Sequence, residues 1–284
     1  MKRLVILITV CALALCGIFF YEQAKFNDGR LHVVICDVGQ GDAIFIRTPK
    51  GQDVLIDGGR NSSVLSCLSN NMPFWDREIE LVFATHPDAD HIGGLESVLT
   101  SYKVLSFNTS EKTTDTQVFK RLQQEIQRQN ISLRYIYADD RYSLDSGVSI
   151  SALWPTREYV SSDTGSFETN TFSLIQILSY GDFKALLTGD IEISTLNDLF
   201  SEPYKIDVLK VPHHGSKTGL NSQILSLLNP VFAVISVGSN SYGHPTPFIL
   251  DLLNRQGIKT LRTDKSGEIE IISDGNTFWI NSER

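Results

Sequence analysis

The sequence predicts an α/β fold in four layers, αββα, with two sheets packed face to face and helices on both outer surfaces. Three observations carry this expectation. Short apolar strand-like runs alternate with amphipathic segments. A rhythm of strands first and helices between them occurs twice along the chain. The chain has 284 residues, 42% of them apolar, enough to bury a substantial core as one large domain.

Residues 1–21 stand apart. Lys2 and Arg3 precede an uncharged apolar run from Leu4 to Phe20, close to the minimum of about 17 residues that spans a bilayer, and Tyr21 follows as an interfacial aromatic. No small-x-small cleavage site is evident. Leu13-Ala14-Leu15-Cys16 makes a poor lipoprotein signal, because Leu15 is unsuited to precede a cleaved bond. The segment therefore reads as an uncleaved signal anchor, in preference to a signal peptide, with the folded domain exported; a cleaved version would be secreted. Residues 22–30 read as a polar linker and 31–284 as the folded domain.

Three strands open that domain: Leu31 to Asp37, Asp42 to Thr48 and Gln52 to Asp57, joined by the glycine-bearing turns Val38-Gly39-Gln40-Gly41 and Pro49-Lys50-Gly51. A helix over Asn61 to Asn71 leads to a buried strand, Ile79 to Ala84, then to a helix over Ile92 to Ser101. After a short strand at Val104 to Phe107, the stretch from Thr114 to Asn130 carries Val118, Leu122 and Ile126 at fourfold spacing, the mark of a surface helix. Strands follow at Ile131 to Tyr137 and Val148 to Trp154. In the second half, strands are expected at Phe172 to Ser179, Phe183 to Thr188, Asp207 to Val211, Val231 to Val237 and Lys259 to Arg262. Helices at Ile193 to Phe200, Asn221 to Leu228 and Pro247 to Arg255 alternate with them, and two strands close the chain around Asp274-Gly275. Ser161 to Ser166 reads as a mobile loop.

Of the four cysteines, Cys11 and Cys16 lie in the anchor. Cys36 and Cys67 can form a bridge in an exported protein, but Cys36 falls in a strand-like run, where a small buried thiol is the preferred reading. Neither is assigned to catalysis. The formal charge of −8 argues against a broad basic patch for nucleic acid, since such binding depends on Lys and Arg displacing counterions. It leaves room for a nuclease whose metal ions supply the local positive charge.

The chemistry concentrates in Thr85-His86-Pro87-Asp88-Ala89-Asp90-His91-Ile92-Gly93, at the end of the apolar run Leu81 to Ala84. Imidazole and carboxylate donors together suit zinc, and manganese or iron as well. His86, Asp88 and Asp90 are evenly spaced, so in an extended segment they share one direction; the adjacent pair Asp90-His91 cannot. One ion is thus unable to take all four groups, and two metals are expected. The plainer alternative is a solvated turn, with Pro87 and the acids chosen for turn chemistry. Three further clusters fall at strand ends. Asp190, in Thr188-Gly189-Asp190, either joins a site or caps the next helix. His213 and His214, between a buried strand and Gly215, read as site residues. His244, in Tyr242-Gly243-His244-Pro245, is open between loop residue and ligand.

Taken together, the spacing His-x-Asp-x-Asp-His, the Gly-Asp turn and Pro-His-His-Gly-Ser resemble the metallo-β-lactamase superfamily. The opening Asp37-Val38-Gly39-Gln40-Gly41-Asp42-Ala43 and the closing Gly243-His244-Pro245 narrow the resemblance to the ComEC-type hydrolase branch, over roughly residues 31 to 275. The resemblance implies a metallo-β-lactamase-type αββα sandwich. It implies that His86 and Asp88 hold one ion, that Asp90, His91 and His214 hold the other, and that Asp190 bridges the two. Asp57 would brace the metal loop from beneath. Asp88 stands where many members have a second His, which makes manganese credible beside zinc. The third His of the first site has no counterpart between Trp154 and Asp190, where Asn170 is the residue to consider.

Two divalent ions, zinc by preference and manganese as the alternative, would lower the pKa of a bound water towards about 7, orient the resulting hydroxide and neutralise the developing oxyanion. Asp90 would take the proton of that water. His213 and His244 would hydrogen-bond the substrate oxygen or protonate the leaving group. Ser216 and Lys217 either extend this cradle or face solvent and cap a helix. The resemblance implies phosphodiester hydrolysis outside the membrane, with DNA or a wall polymer as substrate. Two rival expectations are a carbonyl hydrolase using the same metals and a non-catalytic metal-binding partner of a membrane transport machine.

Overall fold

β1 (Leu31–Ile35) shows how the layers arise. Val33 and Ile35 enter one apolar cluster and Val34 another, so both faces of the strand are buried, as an unbroken apolar run requires. The computed structural model describes residues 2–284. After β1 come β2 (Ile44–Arg47), β3 (Asp53–Ile56), β4 (Glu78–Ala84), β5 (Lys103–Thr109) and β6 (Ser132–Tyr135). A second set follows: β7 (Arg141–Ser143), β8 (Ser149–Trp154), β9 (Ile175–Tyr180), β10 (Phe183–Leu187), β11 (Val208–Lys210), β12 (Phe232–Ile235) and β13 (Lys259–Arg262). β14 (Ile269–Ser273) and β15 (Phe278–Ser282) return to the first set.

Two sheets result, an eight-stranded one in the order β15-β14-β1-β2-β3-β4-β5-β6 and a seven-stranded one in the order β13-β12-β11-β10-β9-β8-β7. Strands β3 to β6 run parallel in the first sheet, and β10 to β13 run parallel in the second. The C-terminal ends of these parallel strands, where α/β folds place their chemistry, carry the metal loop, Asp190 and the His213-His214 pair.

The inner core, with Val33, Ile46, Phe83, Ile150, Leu178 and Val234, lies between the sheets. One outer core covers the first sheet through α2 (Val64–Asn71), the short α3 (Ala89–Ile92), α4 (Leu95–Ser101) and α5 (Gln117–Arg128). α6 (Arg157–Ser162) is a short surface turn of helix. The other outer core covers the second sheet through α7 (Ile193–Leu199), α8 (Ser222–Leu228) and α9 (Pro247–Arg255), while α10 (Thr263–Ser266) leads into β14. The expected αββα sandwich is what the chain forms. Fully buried Phe45, Phe83 and Phe107 each contribute about 1.5–3 kcal/mol by leaving water.

The element bounds follow local chemistry. α5 starts at Gln117, not Thr114, because the Thr116 hydroxyl accepts from Phe119 N and caps it; Asn221 caps α8 in the same way through Ile224 N. The helix expected from Ile92 instead begins at Ala89 and is interrupted at Gly93-Gly94 before α4, which puts Asp90 and His91 on a helical turn.

Three other expectations need correction. The first concerns the linker. α1 runs from Lys2 through Phe26, so the helix continues across half of the stretch read as a polar linker. Its mean hydropathy of 2.7 and its length are those of a membrane-crossing helix, and its apolar side chains are exposed. The second concerns the cysteines: Cys36 and Cys67 form a disulfide, with Cα atoms 5.7 Å apart. Strand alternation turns Cys36 towards the helical layer, and α2 lays Cys67 over it; a contact across 31 residues of chain is invisible to local pattern. The third concerns the loop from Ser161. α6 takes in its first two residues, and the Asp163 carboxylate accepts from Gly165 N, Phe167 N and Lys112 Nζ, which ties the segment down.

Candidate metal centre

β4 ends at Ala84 and delivers Thr85 and His86 to the rim of the first sheet. Asp57, just after β3, sits beneath them at φ 60°, a left-handed conformation that costs a non-glycine residue of order 1–3 kcal/mol and is kept where the surroundings hold it. Its carboxylate accepts from Thr85 N and Thr85 Oγ1, each at 2.7 Å, and pairs with His91 Nδ1 at 2.8 Å. Asp57 is the brace under the loop. Burial pushes its carboxyl up, and His91 opposes that rise.

These contacts determine where the imidazole protons lie. The His91 Nδ1–H donates to Asp57. The Thr85 hydroxyl gives its proton to Asp57, so the His86 Nδ1–H donates to Thr85 Oγ1, 3.0 Å away, with Ser173 Oγ at 3.2 Å. His214 Nδ1 faces the Ser236 carbonyl at 2.9 Å and can only donate. All three rings are thereby held with Nε2 free. Each of those Nε2 atoms is buried without a hydrogen-bond partner, as is Asp190 Oδ1. Orienting a ring through its other nitrogen is what the surroundings of metal ligands do.

The free atoms converge. Asp190 Oδ2 lies 3.3 Å from both His91 Nε2 and His214 Nε2, in a bridging position, and 3.8 Å from His213 Nε2. His86 Nε2 is 3.8 Å from Asp88 Oδ2 on one side, and His214 Nε2 is 3.8 Å from Asp90 Oδ2 on the other. Donor sets such as His86-His91-Asp190 and Asp90-His91-His214 each fit within 4.8 Å, the span of a metal site. His91 belongs to both sets. Asp190 does not cap α7, whose cap is Glu192.

Electrostatics points the same way. Three fully buried carboxylates, Asp42, Asp57 and Asp190, face one buried ammonium, Lys210. Lys210 Nζ pairs closely with Asp42 and donates to the Gly189 carbonyl at 3.2 Å. Burial by itself would depress His91 and His214, yet Asp190 draws a proton onto both, with Asp57 helping at His91 and Asp42 at His214; His214 is pushed up to about 9. The centre calls for positive charge, which a divalent cation supplies when it displaces those protons. Burial keeps His86 well below the ordinary imidazole value.

His213 and His214 both adopt left-handed conformations, with φ 50° and 52° in the turn after β11. That turn aims His214 inward and leaves His213 a quarter exposed at the mouth. His244 stands beside it, with ring centroids 5.5 Å apart, and burial lowers its pKa. Ser216 bonds Thr218 in a local turn and Lys217 faces solvent, so neither joins the cradle nor caps α8. Asn170 lies in the turn whose Thr169 hydroxyl donates to Asp88 Oδ1 at 2.7 Å, and its own Oδ1 is buried without a partner.

Asp42 and Lys210 were not foreseen. Lys210 is a lone charge inside the apolar run Val208-Leu209-Lys210-Val211, and Asp42 lies in the motif that opens the domain, where the sequence alone assigns it no role. The Asp42 loop is seated directly on the metal loop: a Cβ on Gly41 would meet Asp90 O at 2.0 Å, and Asp42 N donates to that same oxygen.

Comparison with known proteins agrees with this fold. The chain is 28% identical over 281 residues to ComE operon protein 3 of Bacillus subtilis (strain 168), covering 92% of this chain and 35% of that protein. It is 27% identical over 266 residues to competence protein ComA of Neisseria gonorrhoeae, covering 91% of this chain and 34% of that one. The chain thus spans about a third of the length of these curated relatives. Among solved structures, the metallo-beta-lactamase fold protein YhfI of Bacillus subtilis superposes with a TM-score of 0.56 at 13% identity, covering 88% of this chain and all of that one. A metallo hydrolase from the archaeon Ignicoccus hospitalis also gives 0.56, at 15% identity and with coverages of 84% and 98%. Residues 36–239 match the Metallo-beta-lactamase superfamily. This chain is therefore a member of the metallo-β-lactamase superfamily of metal-dependent hydrolases, and its curated relatives are ComEC-type competence proteins.

Proposed function

We propose that this protein is a two-metal phosphodiesterase that works outside the membrane, anchored by α1, on DNA or another phosphodiester polymer. The observation that carries the reading is the convergence of three tautomer-fixed Nε2 atoms and the bridging Asp190 on one buried, negatively charged point. His86 and Asp88 would hold one ion, Asp90, His91 and His214 the other, with Asp190 between; Lys210 and Asp42 keep Asp190 and His214 in place. Zinc is the first choice and manganese the second, because the donors are nitrogen and hard carboxylate oxygen. When bound, the ions supply Lewis acidity towards a phosphoryl oxygen and towards water.

The chain's own groups do the rest. Asp90, one-fifth exposed and turned towards His214, is placed to take a proton from the attacking water. His213, a quarter exposed, and the neighbouring His244 line the mouth. They are free to hydrogen-bond a phosphoryl oxygen or to protonate the departing alkoxide. One relative is named as a competence protein, and the reading places this chain in the same setting.

The test uses the full chain in detergent, stripped of metal and assayed on a generic phosphodiester and on single- and double-stranded DNA, with manganese or zinc restored. Cleavage that returns with metal, and that Asp190→Ala lacks, supports the reading. Intact phosphodiesters from a protein that binds two ions per chain would overturn it in favour of a carbonyl substrate or a non-catalytic role.

A further inference from the structure

Beside the metal centre lies a cavity of about 300 Å3, between the loop carrying Gln40 and the segment Ser239–Tyr242. The two walls interlock, since a Cβ on Gly238 would strike the Gly39 backbone at 2.3 Å. Tyr242 forms the outer wall. It is 66% exposed, unusual for a large aromatic without a partner, yet the segment that carries it is rigid. Asn240 accepts from Tyr242 N at 3.1 Å and His244 N at 3.0 Å, and donates to the carbonyls of Gly238 and His244, each at 2.8 Å. The Tyr242 ring is stacked on His244, with centroids 5.9 Å apart and planes within 30°, and His244 in turn stands next to His213. A line of rings thus leads from the surface towards Asp190.

The charge of the cavity differs from that of the chain. Arg60 is the one charged residue lining it, no carboxylate joins it, and among the described residues the Arg60 side chain makes no ion pair or hydrogen bond. In a chain of net charge −8, an unpaired guanidinium beside an exposed aromatic face is a site for an anion with a flat neighbour. A quaternary ammonium would suit the tyrosine but not the arginine, and a polyol chain has no π-face to offer.

We propose that this cavity is a nucleotide subsite: Tyr242 stacks an unpaired base while Arg60 pairs with the adjoining phosphate. The substrate is accordingly a single-stranded nucleic acid, not a wall polymer. The inference rests on the phosphodiesterase reading above and narrows its substrate.

The experiment takes the full-length, metal-loaded protein and its Tyr242→Ala, Tyr242→Phe and Arg60→Ala variants. KM and kcat are measured on a short single-stranded oligonucleotide and on the same chain with abasic sites. In parallel, a phosphorothioate oligonucleotide carrying 2-aminopurine reports stacking by fluorescence quenching. Tyr242→Ala should raise KM about tenfold on the base-bearing chain, the worth of one base stack, without changing KM on the abasic chain or the fold. Tyr242→Phe should retain the wild-type KM. Quenching should be lost only in Tyr242→Ala. Arg60→Ala should weaken both chains and reduce the slope of log K against log salt by about 0.7. Cleavage of both chains with no dependence on Tyr242 overturns the subsite and leaves the phosphodiesterase standing. Quenching that depends on Tyr242 with no cleavage overturns the phosphodiesterase and keeps the subsite. Absence of both, or Tyr242-dependent cleavage of a glycerol-phosphate polymer in place of the oligonucleotide, overturns the proposal.

Discussion

Arg47 and Asp190 both lie inside the fold among carboxylates, but their surroundings are finished to different degrees. Arg47 Nη1 donates to both Asp53 oxygens at 2.8 and 2.6 Å, its guanidinium also reaches Asp76 at 3.4 Å, and its Nε donates to the Phe26 carbonyl at 3.1 Å. No side-chain atom of Arg47 or Asp53 is buried without a partner. Around Asp190, the Nε2 atoms of His86, His91 and His214 and one oxygen each of Asp190 and Asp42 are left over. Buried polar groups are ordinarily paired, and breaking a pair is costly. The first cluster is complete as folded and serves the fold. The second is complete only with something added, and its shortfall is two positive charges at one point.

Four measurements break or sharpen this contrast. The largest effect is expected from Asp190→Ala. Removing this carboxylate should lower metal-dependent hydrolysis on the order of 10³-fold, while metal-free stability falls by less than in Arg47→Met, because His91 and His214 can shed their protons once Asp190 no longer draws them. A collapse of metal-free stability would show that Asp190 serves the fold after all. Arg47→Met should do the reverse. It strands Asp53 in the interior and should cost about 3–5 kcal/mol in chemical denaturation, with stoichiometric metal binding intact in the molecules that stay folded.

Chelation is the third probe. With free metal at a hundred times its dissociation constant, binding stabilises the fold by about 2.7 kcal/mol, so EDTA should lower the unfolding midpoint of the wild type and leave that of Asp190→Ala unmoved. The smallest effect concerns a half-buried pairing on the face of β1 that also carries Val34. His32 Nδ1 meets Glu270 at 2.8 Å and its Nε2 meets Asp28 at 3.0 Å. Burial alone would lower its pKa, but the two carboxylates hold it above 6.5. A raised value means that the stabilisation is full below about 6.5 and fades as pH rises through the folded value. Wild type should therefore exceed His32→Gln by less than about 1 kcal/mol at pH 6, with the gap closing at pH 9. A gap that widens with pH would contradict the pairing.

What the sequence made legible was whatever lay along it. His86, Asp88, Asp90 and His91 share one short loop after an apolar run, and His213-His214 another, so their density alone marked a site. The unbroken apolar run of β1 marked a strand buried on both faces, and the spacing of Val118, Leu122 and Ile126 marked a helix because burial there repeats every 3.6 residues. What escaped depends on distance in sequence. Lys210 finds Asp42, and Cys67 finds Cys36, only once the sheets are stacked. β7, three residues long and mostly exposed, has no apolar pattern to announce it. The tautomers escaped for a deeper reason, because the partners of the imidazoles are Asp57, Thr85 and the Ser236 carbonyl, and a backbone atom has no letter.

The junction of α1 with the domain bears on reach. A flexible stretch over residues 22–30 would let its ends wander about 15–18 Å and leave the domain to swing on a leash. The helix instead persists to Phe26, whose carbonyl is clasped by Arg47; Lys25 reaches the Asn70 carbonyl, and Trp75 packs on Phe19 with ring centroids 4.8 Å apart. The domain is therefore mounted on a bracket. Where α1 crosses a bilayer, the centre keeps one height and one bearing over the lipid surface, and whatever it acts on must be brought to that height.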